Sequence, residues 1–238
     1  MALIRDEALV IRSYKLGEAD RIVLLFTKDH GKLRAVAKGS RKAKSRIGGR
    51  VEPLNYLNVQ LWMGKDLHIL SQAETIESNF SLRVDLESIQ RAMSILEIVD
   101  KLTHDDYPDP VLFDAAIRAL RSLANNRSAM YVPAFFLRAM QIEGFRPSVD
   151  TCRLCGTSGD IVAFDPASAA VTCALHPIGN EISAGALKAM RLVLDGHASQ
   201  AFAVTDSEDE YQMEGLVISF CEAMIERKLK TVHPLLRH

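Results

Sequence analysis

The spacing of apolar positions changes period once along this chain, near residue 84. Before that point apolar and polar residues alternate, or run in short β-branched and aromatic blocks. The blocks "ALVIRSY" (8–14), "RIVLLFT" (21–27), "KLRAVAK" (32–38), "YLNVQLWM" (56–63) and "LHILSQA" (67–73) predict five strands. The connections "KLGEAD", "KDHG" and "MGKD" are short and turn-like. Five strands without helix-length gaps predict a small closed or nearly closed barrel. An OB-fold has this strand count and a face that binds oligonucleotides. An SH3-like barrel has a similar count, and the pattern does not separate the two.

After residue 84 the period is helical. Ile89, Met93, Leu96, Val99 and Leu102 mark a first helix, and Phe113, Ile117, Leu120 and Leu123 a second over 111–124, behind the breaker "PDP". A third starts near Pro133, carries Phe136, Leu137 and Met140, and is capped at Gly144. A fourth over 184–195 follows Ser183 and ends at Gly196, and a fifth over 208–230 carries Leu216, Phe220, Met224 and Ile225. The expected class is α+β. It has a β-barrel domain over 1–80, then a helical domain over 81–238 with a Cys-rich insert at 151–177.

Composition changes this picture little. Apolar residues make up 48% of the 238, enough for a sizeable core. No apolar run reaches the roughly 18 residues a membrane helix needs, and "MALIRDEALVIR" lacks signal-peptide features, so a cytoplasmic protein without a membrane partner is expected. Charge changes it more. Residues 1–80 hold 14 Lys and Arg against 9 Asp and Glu, and residues 81–238 hold 15 against 21. A basic half joined to an acidic half points the first half towards a polyanion.

The cations concentrate in "KLRAVAKGSRKAKSRIGGR" (32–50): Lys32, Arg34, Lys38, Arg41, Lys42, Lys44, Arg46 and Arg50, with no acidic residue. On a strand, Leu33, Ala35 and Ala37 share one face, and Lys32, Arg34 and Lys38 share the other with Val36. Unpaired cations do not enter a core, so the second face is solvated or meets an anion. Phosphate contacts from these eight residues would give affinity without sequence preference. A solvated, mobile loop is the competing reading. Stacking platforms for single strands would come from Tyr14, Phe26, Tyr56 and Trp62. Phe26 suits the core better. Tyr56 and Trp62 share the more polar face of their strand and either lie at the surface or pack under helices.

Cys152, Cys155, Cys173 and His176 stand in the pattern C-x2-C-x17-C-x2-H. Two such pairs are a usual way to build a tetrahedral zinc site, and four protein ligands close it, which suits a structural rather than a catalytic metal. A site that has lost its metal and a redox pair are the alternatives. Cys221, among Phe220, Met224 and Ile225, reads as a buried helix residue. No phosphate-binding GxxxxGK[ST] loop, G-x-S-x-G elbow, H-E-x-x-H or zinc-deaminase signature occurs. No catalytic residue is therefore assigned, and the protein is not expected to be an enzyme. An RNA-binding OB protein linked to translation and a zinc-dependent nucleic-acid enzyme remain as alternative classes.

The run "ALVIRSYKLGEADRIVLLFTKDHGKLRAVAKGSRK" (8–42), with "VEPLNYLNVQLW" and "LHILSQAE", closely resembles the opening of the bacterial RecO family of recombination mediators. The order of barrel, helices and Cys-rich insert resembles it too. The resemblance implies an N-terminal OB-fold and a zinc-finger-like insert on a helical domain. It implies binding of single- and double-stranded DNA and annealing of complementary strands. It also implies help, with RecR and in some species RecF, in loading RecA onto DNA coated by single-strand-binding protein. The resemblance implies that no nucleotide is needed. The family's motif is commonly two CxxC pairs, so His176 stands where a fourth cysteine is usual. A second cluster, Arg227, Lys228, Lys230 and Arg237 beside Val232, Leu235 and Leu236, could receive the acidic, apolar-ended tail of single-strand-binding protein. Favourable charge at a helix C-terminus explains it equally well.

Overall fold

The computed structural model describes residues 2–126, 128–204 and 206–232. The chain divides into two compact units, Met1–Ala124 and Asn125–His238.

In the first unit, β1 (Leu3–Leu16), β2 (Asp20–Thr27), β3 (Gly31–Ala37), β4 (Tyr56–Trp62) and β5 (His68–Glu77) close into a barrel of order β1-β2-β3-β5-β4. Every neighbouring pair is antiparallel except β3 and β5, which pair in parallel through Ala35–His68 and Val36–Ile69. This closure by a parallel pair is the five-stranded OB-fold. Val10, Val23, Leu25, Leu33, Ala35, Leu57, Val59 and Leu61 fill the interior, as the alternation predicts.

Two helices belong to this unit: α1 (Leu86–Leu102) and α2 (Pro110–Asn125). The carboxylate of Asp85 accepts from the Ser88 N–H (2.8 Å) and that of Asp109 from the Leu112 N–H (2.8 Å), so an acidic residue caps each first turn. The strand-to-helix switch lies near residue 80, whereas the compact units divide later, after Ala124. The reason is packing. Phe113 of α2 meets the edges of Phe26 and Tyr56, at centroid distances of 5.4 and 5.9 Å. Asp100 of α1 pairs with Arg12 (2.8 Å). The chain leaving α1 then runs along β3. Lys32 N–H donates to His104 O and Asp106 N–H to Lys32 O, both at 3.3 Å. Gly31 permits this approach, because a Cβ there would lie 2.3 Å from the Tyr107 carbonyl oxygen.

The second unit holds α3 (Tyr131–Ile142), the insert, α4 (Ala184–Leu194), α5 (Ala198–Val204) and α6 (Ser207–Ile225). The insert is a small sheet of β6 (Ile161–Asp165), β7 (Ala170–Cys173) and β8 (Asn180–Glu181), in order β7-β6-β8. Phe164 of β6 meets Phe220 of α6 edge-on at 6.2 Å, which seats the insert on the helices. The periodicity carries the last helix to 230, but it stops at Ile225. Glu226 turns left-handed (φ 53°), and Glu222 accepts from Lys228 Nζ (2.6 Å) and the Leu229 N–H (2.8 Å). The short α5 is not marked by any periodicity. Cys221 is fully buried, and burial pushes its thiol pKa up, as suits an inert packing residue. No described helix is long and apolar enough to cross a membrane.

Candidate nucleic-acid interface and metal centre

The strand register sorts the outer barrel surface into rows. One row runs Tyr56–Leu9–Phe26–Lys32 across β4, β1, β2 and β3. It lies under the helices: Tyr56, Leu9 and Phe26 are buried. The Tyr56 hydroxyl hydrogen-bonds Glu7, and burial together with that bond raises its pKa. Neither Tyr56 nor Phe26 can serve as a stacking platform: Phe26 is core, as expected, and Tyr56 takes the packed alternative. A second row runs Tyr14–Ile22–Val36–Ile69–Trp62–Leu3, from β1 through β2, β3, β5 and β4 back to β1. Tyr14 is 50% and Trp62 40% exposed, Ile22 and Ile69 are half-buried and Val36 between them is buried, so this stripe presents an aromatic on either side of a largely covered centre. Bases stack on such surfaces.

The eight cations of 32–50 meet different fates. Lys32 reaches the carbonyl oxygens of Asp100 and Thr103 (2.9 Å each) and the Asp100 carboxylate (3.3 Å), clamping the C-terminal turn of α1. A cation there also suits the negative end of the helix dipole. The expected solvated role for Lys32 is therefore replaced by a structural one. Arg34 stays 60% exposed beside Asp105 (3.5 Å), next to Val36 of the stripe. Arg41 donates to Gly17 O (2.8 Å) and Arg50 to Ala73 O (2.6 Å), which fixes the loop without neutralising either charge. Lys38, Lys42, Lys44 and Arg46 are exposed, and their side chains have no partner among the described residues. The loop is thus anchored rather than free. Arg41 N–H bonds Ala19 O (2.9 Å), and the Asp20 carboxylate accepts from the Gly39 N–H (2.7 Å). These contacts hold the basic segment against the β1–β2 turn.

In the insert, the sheet brings the two Cys-containing turns together. Arg153 N–H bonds Val171 O (3.1 Å), Gly156 N–H closes the first turn on Cys152 O (2.8 Å) and His176 N–H the second on Cys173 O (2.9 Å). The ligand atoms of Cys152, Cys155, Cys173 and His176 all lie within 4.8 Å of one another. Tetrahedral zinc, with Zn–S of about 2.3 Å and Zn–N of about 2.0–2.1 Å, implies S···S and S···N edges of about 3.8 and 3.6 Å. The Cys155–Cys173 sulfur separation is 3.7 Å and Cys173 Sγ lies 3.5 Å from His176 Nδ1. Burial resists ionisation of Cys152, but the backbone N–H groups of Leu154, Cys155 and Cys173 outweigh it and bring the thiol down to about 6. The Cys155 thiol is raised: the Thr157 N–H favours its thiolate, but burial and the two neighbouring thiols prevail. The donor set and spacing fit a metal ion held by four protein ligands.

Residues 1–79 match the family model described as Recombination protein O N terminal, and residues 83–233 match Recombination protein O C terminal. The chain belongs to the RecO family. Its role is accordingly in DNA repair and recombination.

The basic segment, Tyr14 and Trp62 are legible in the sequence, whereas the alignment of Ile22 and Ile69 with them depends on cross-strand register rather than local pattern. The reading of "DHG" as a turn agrees with the structure: Asp6 Oδ2 bonds His30 Nδ1 (2.7 Å) and accepts from the Asp29 N–H (3.1 Å). His68 is buried and accepts from the Gly64 N–H (3.1 Å), a structural place. In the C-terminal cluster Val232 is buried and Lys228 is bound to Glu222, while Leu235, Leu236 and Arg237 lie outside the described residues.

Proposed function

We propose that the protein is a nucleotide-independent recombination mediator. It binds single- and double-stranded DNA on the barrel and anneals complementary strands. With RecR, and with RecF where it is present, it helps load RecA onto DNA coated by single-strand-binding protein. The observation that carries this reading is the row holding exposed Tyr14 and Trp62, with half-buried Ile22 and Ile69 between them, beside unpartnered cations of the 38–46 loop. Bases rest on the stripe and phosphates on Arg34, Lys38, Lys42, Lys44 and Arg46, with Arg41 and Arg50 contributing charge from anchored positions. Annealing follows from charge. Two phosphate backbones repel, and a basic surface that holds both loosely reduces that repulsion while bases exchange partners.

The protein has no catalytic role in this reading and works in the cytoplasm, at the nucleoid. The Cys152, Cys155, Cys173 and His176 site holds zinc as a structural clip for the insert. Arg227, exposed near the C-terminus, stands as a basic contact for the acidic tail of single-strand-binding protein. The test is annealing of complementary strands without ATP, bare and coated with single-strand-binding protein. Faster annealing is expected in both cases, and failure in both refutes the proposal. Competition between DNA and RNA of one sequence distinguishes this reading from a translation-linked RNA-binding role.

A further inference from the structure

An open cleft of about 460 Å³ lies where the 39–52 segment folds against the barrel, lined by Lys15, Arg21, Ser40, Arg41, Lys42 and Glu52 among others. Its walls are fixed. Lys15 and Arg21 face each other across β1 and β2. Arg41 is tied to the β1–β2 turn through Gly17 O (2.8 Å) and Ala19 O (2.9 Å). Gly48 lies so close to Ser40 that a Cβ would sit 2.3 Å from the Ser40 carbonyl oxygen.

Four of these residues are cations and one is a carboxylate, Glu52, which already pairs with Arg21 Nη2 (2.9 Å). Three positive charges are left in excess. Two donors are left as well: Arg21 Nε and Ser40 Oγ are buried without a hydrogen-bond partner among the described residues. Buried polar atoms are rarely orphaned, and two orphaned donors in one cationic cleft offer hydrogen bonds to a bound acceptor, whether water or an anion. The ligand that suits this set is small, rich in acceptor oxygens and more than singly charged. A phosphomonoester carries about −1.5 to −2 at neutral pH and three acceptor oxygens. A backbone phosphodiester carries one charge and two such oxygens.

We propose that this cleft seats the terminal phosphate of a DNA strand, resting on the stripe reading above. Lys15 and Arg21 are the next pair along β1 and β2 after Tyr14 and Ile22 but point to the opposite face, so a strand stacked on Tyr14 and Ile22 reaches the cleft by rounding the β1–β2 turn. Arg21 and Ser40 supply directed hydrogen bonds, and Lys15, Arg41 and Lys42 supply charge.

The experiment uses the full chain and one single-stranded oligonucleotide sequence. It carries a 5′-phosphate, a 3′-phosphate or hydroxyls at both ends, with an internal fluorophore read by anisotropy at fixed salt. One phosphorylated end is expected to bind about tenfold tighter than the hydroxyl form. Ser40→Ala and Arg21→Lys should remove that preference, while Lys44→Ala should weaken all forms alike. Arg21→Lys keeps the charge, so loss of preference there reports the directed bonds, and circular dichroism confirms that each variant is folded. Equal binding of all forms overturns the inference and leaves the DNA-binding stripe standing. A preference that survives both cleft variants also overturns it. Failure of every form to bind overturns both readings. Millimolar inorganic phosphate should abolish the end preference while sparing the hydroxyl form. Phosphate binding without any end preference assigns the cleft to free phosphate and overturns the strand-end claim.

Discussion

Replacing Lys38, Lys44 and Arg46 together by alanine tests whether the exposed loop meets phosphate. All three side chains are solvent-exposed and have no partner among the described residues. Their loss should change stability by no more than about 0.5 kcal/mol. Each phosphate contact contributes about −0.7 to the slope of log affinity against log salt for single strands. Removing three flattens the slope by about 2. Between roughly 50 and 200 mM salt the wild type should therefore lose about twentyfold more affinity than the variant. Anisotropy titrations of a hydroxyl-ended, mixed-sequence oligonucleotide across that range measure both slopes directly. The loss should be similar for different sequences, because phosphate contacts carry no base information. An unchanged slope in a folded variant would falsify the assignment of this loop to the backbone.

Other substitutions separate stacking, packing and metal. Tyr14→Ala and Trp62→Ala should each cost about 1–3 kcal/mol of single-strand binding, with the salt slope unaltered. Phe26→Ala, on the covered row, should instead lower unfolding stability in urea by about 3–5 kcal/mol. Lys32→Met should remove about 1–3 kcal/mol of stability through the lost clamp on α1 and leave the salt slope alone; a flattened slope would return Lys32 to the interface. Metal analysis should find one zinc per chain, and His176→Ala should weaken retention against a chelator while DNA binding by the barrel persists; undiminished retention would remove His176 from the ligand set. A fragment ending at residue 124 should fold and bind DNA, whereas one ending at residue 80 should aggregate, since it uncovers Leu9, Phe26 and Tyr56; analytical gel filtration decides.

Much of the barrel was legible because strand alternation is a local signal. Leu57, Val59 and Leu61 point inward and Asn58, Gln60 and Trp62 outward, as their spacing dictates. The metal cluster was legible for a similar reason: each ligand pair is a local turn, and the β6–β7 hairpin needs only to bring two turns together. The end of α6 was not legible, because Glu226 and the return of Leu229 to Glu222 break no periodicity in the residues before them. The choice of OB-fold over another small barrel depends on the parallel closure of β3 on β5, a contact between residues more than thirty apart.

The interface itself shows why alternation is insufficient. Tyr56 and Trp62 lie on the same face of β4, separated by an even number of residues. Their fates differ because Phe113 of α2 packs on Tyr56 at one end of the strand, whereas Trp62 at the other end stays 40% exposed. The same helices decide between Lys32 and Arg34, which share a face of β3: Lys32 meets the last turn of α1, and Arg34 lies beyond it. In the proposed reading the DNA-facing half of the barrel is therefore defined by subtraction, as the part of the outer surface that α1 and α2 leave open. A cation or aromatic on an outward position is a necessary feature of this site. Its row along the strand, which only the packed unit determines, decides whether it packs against the helices or stays free for the proposed DNA contact.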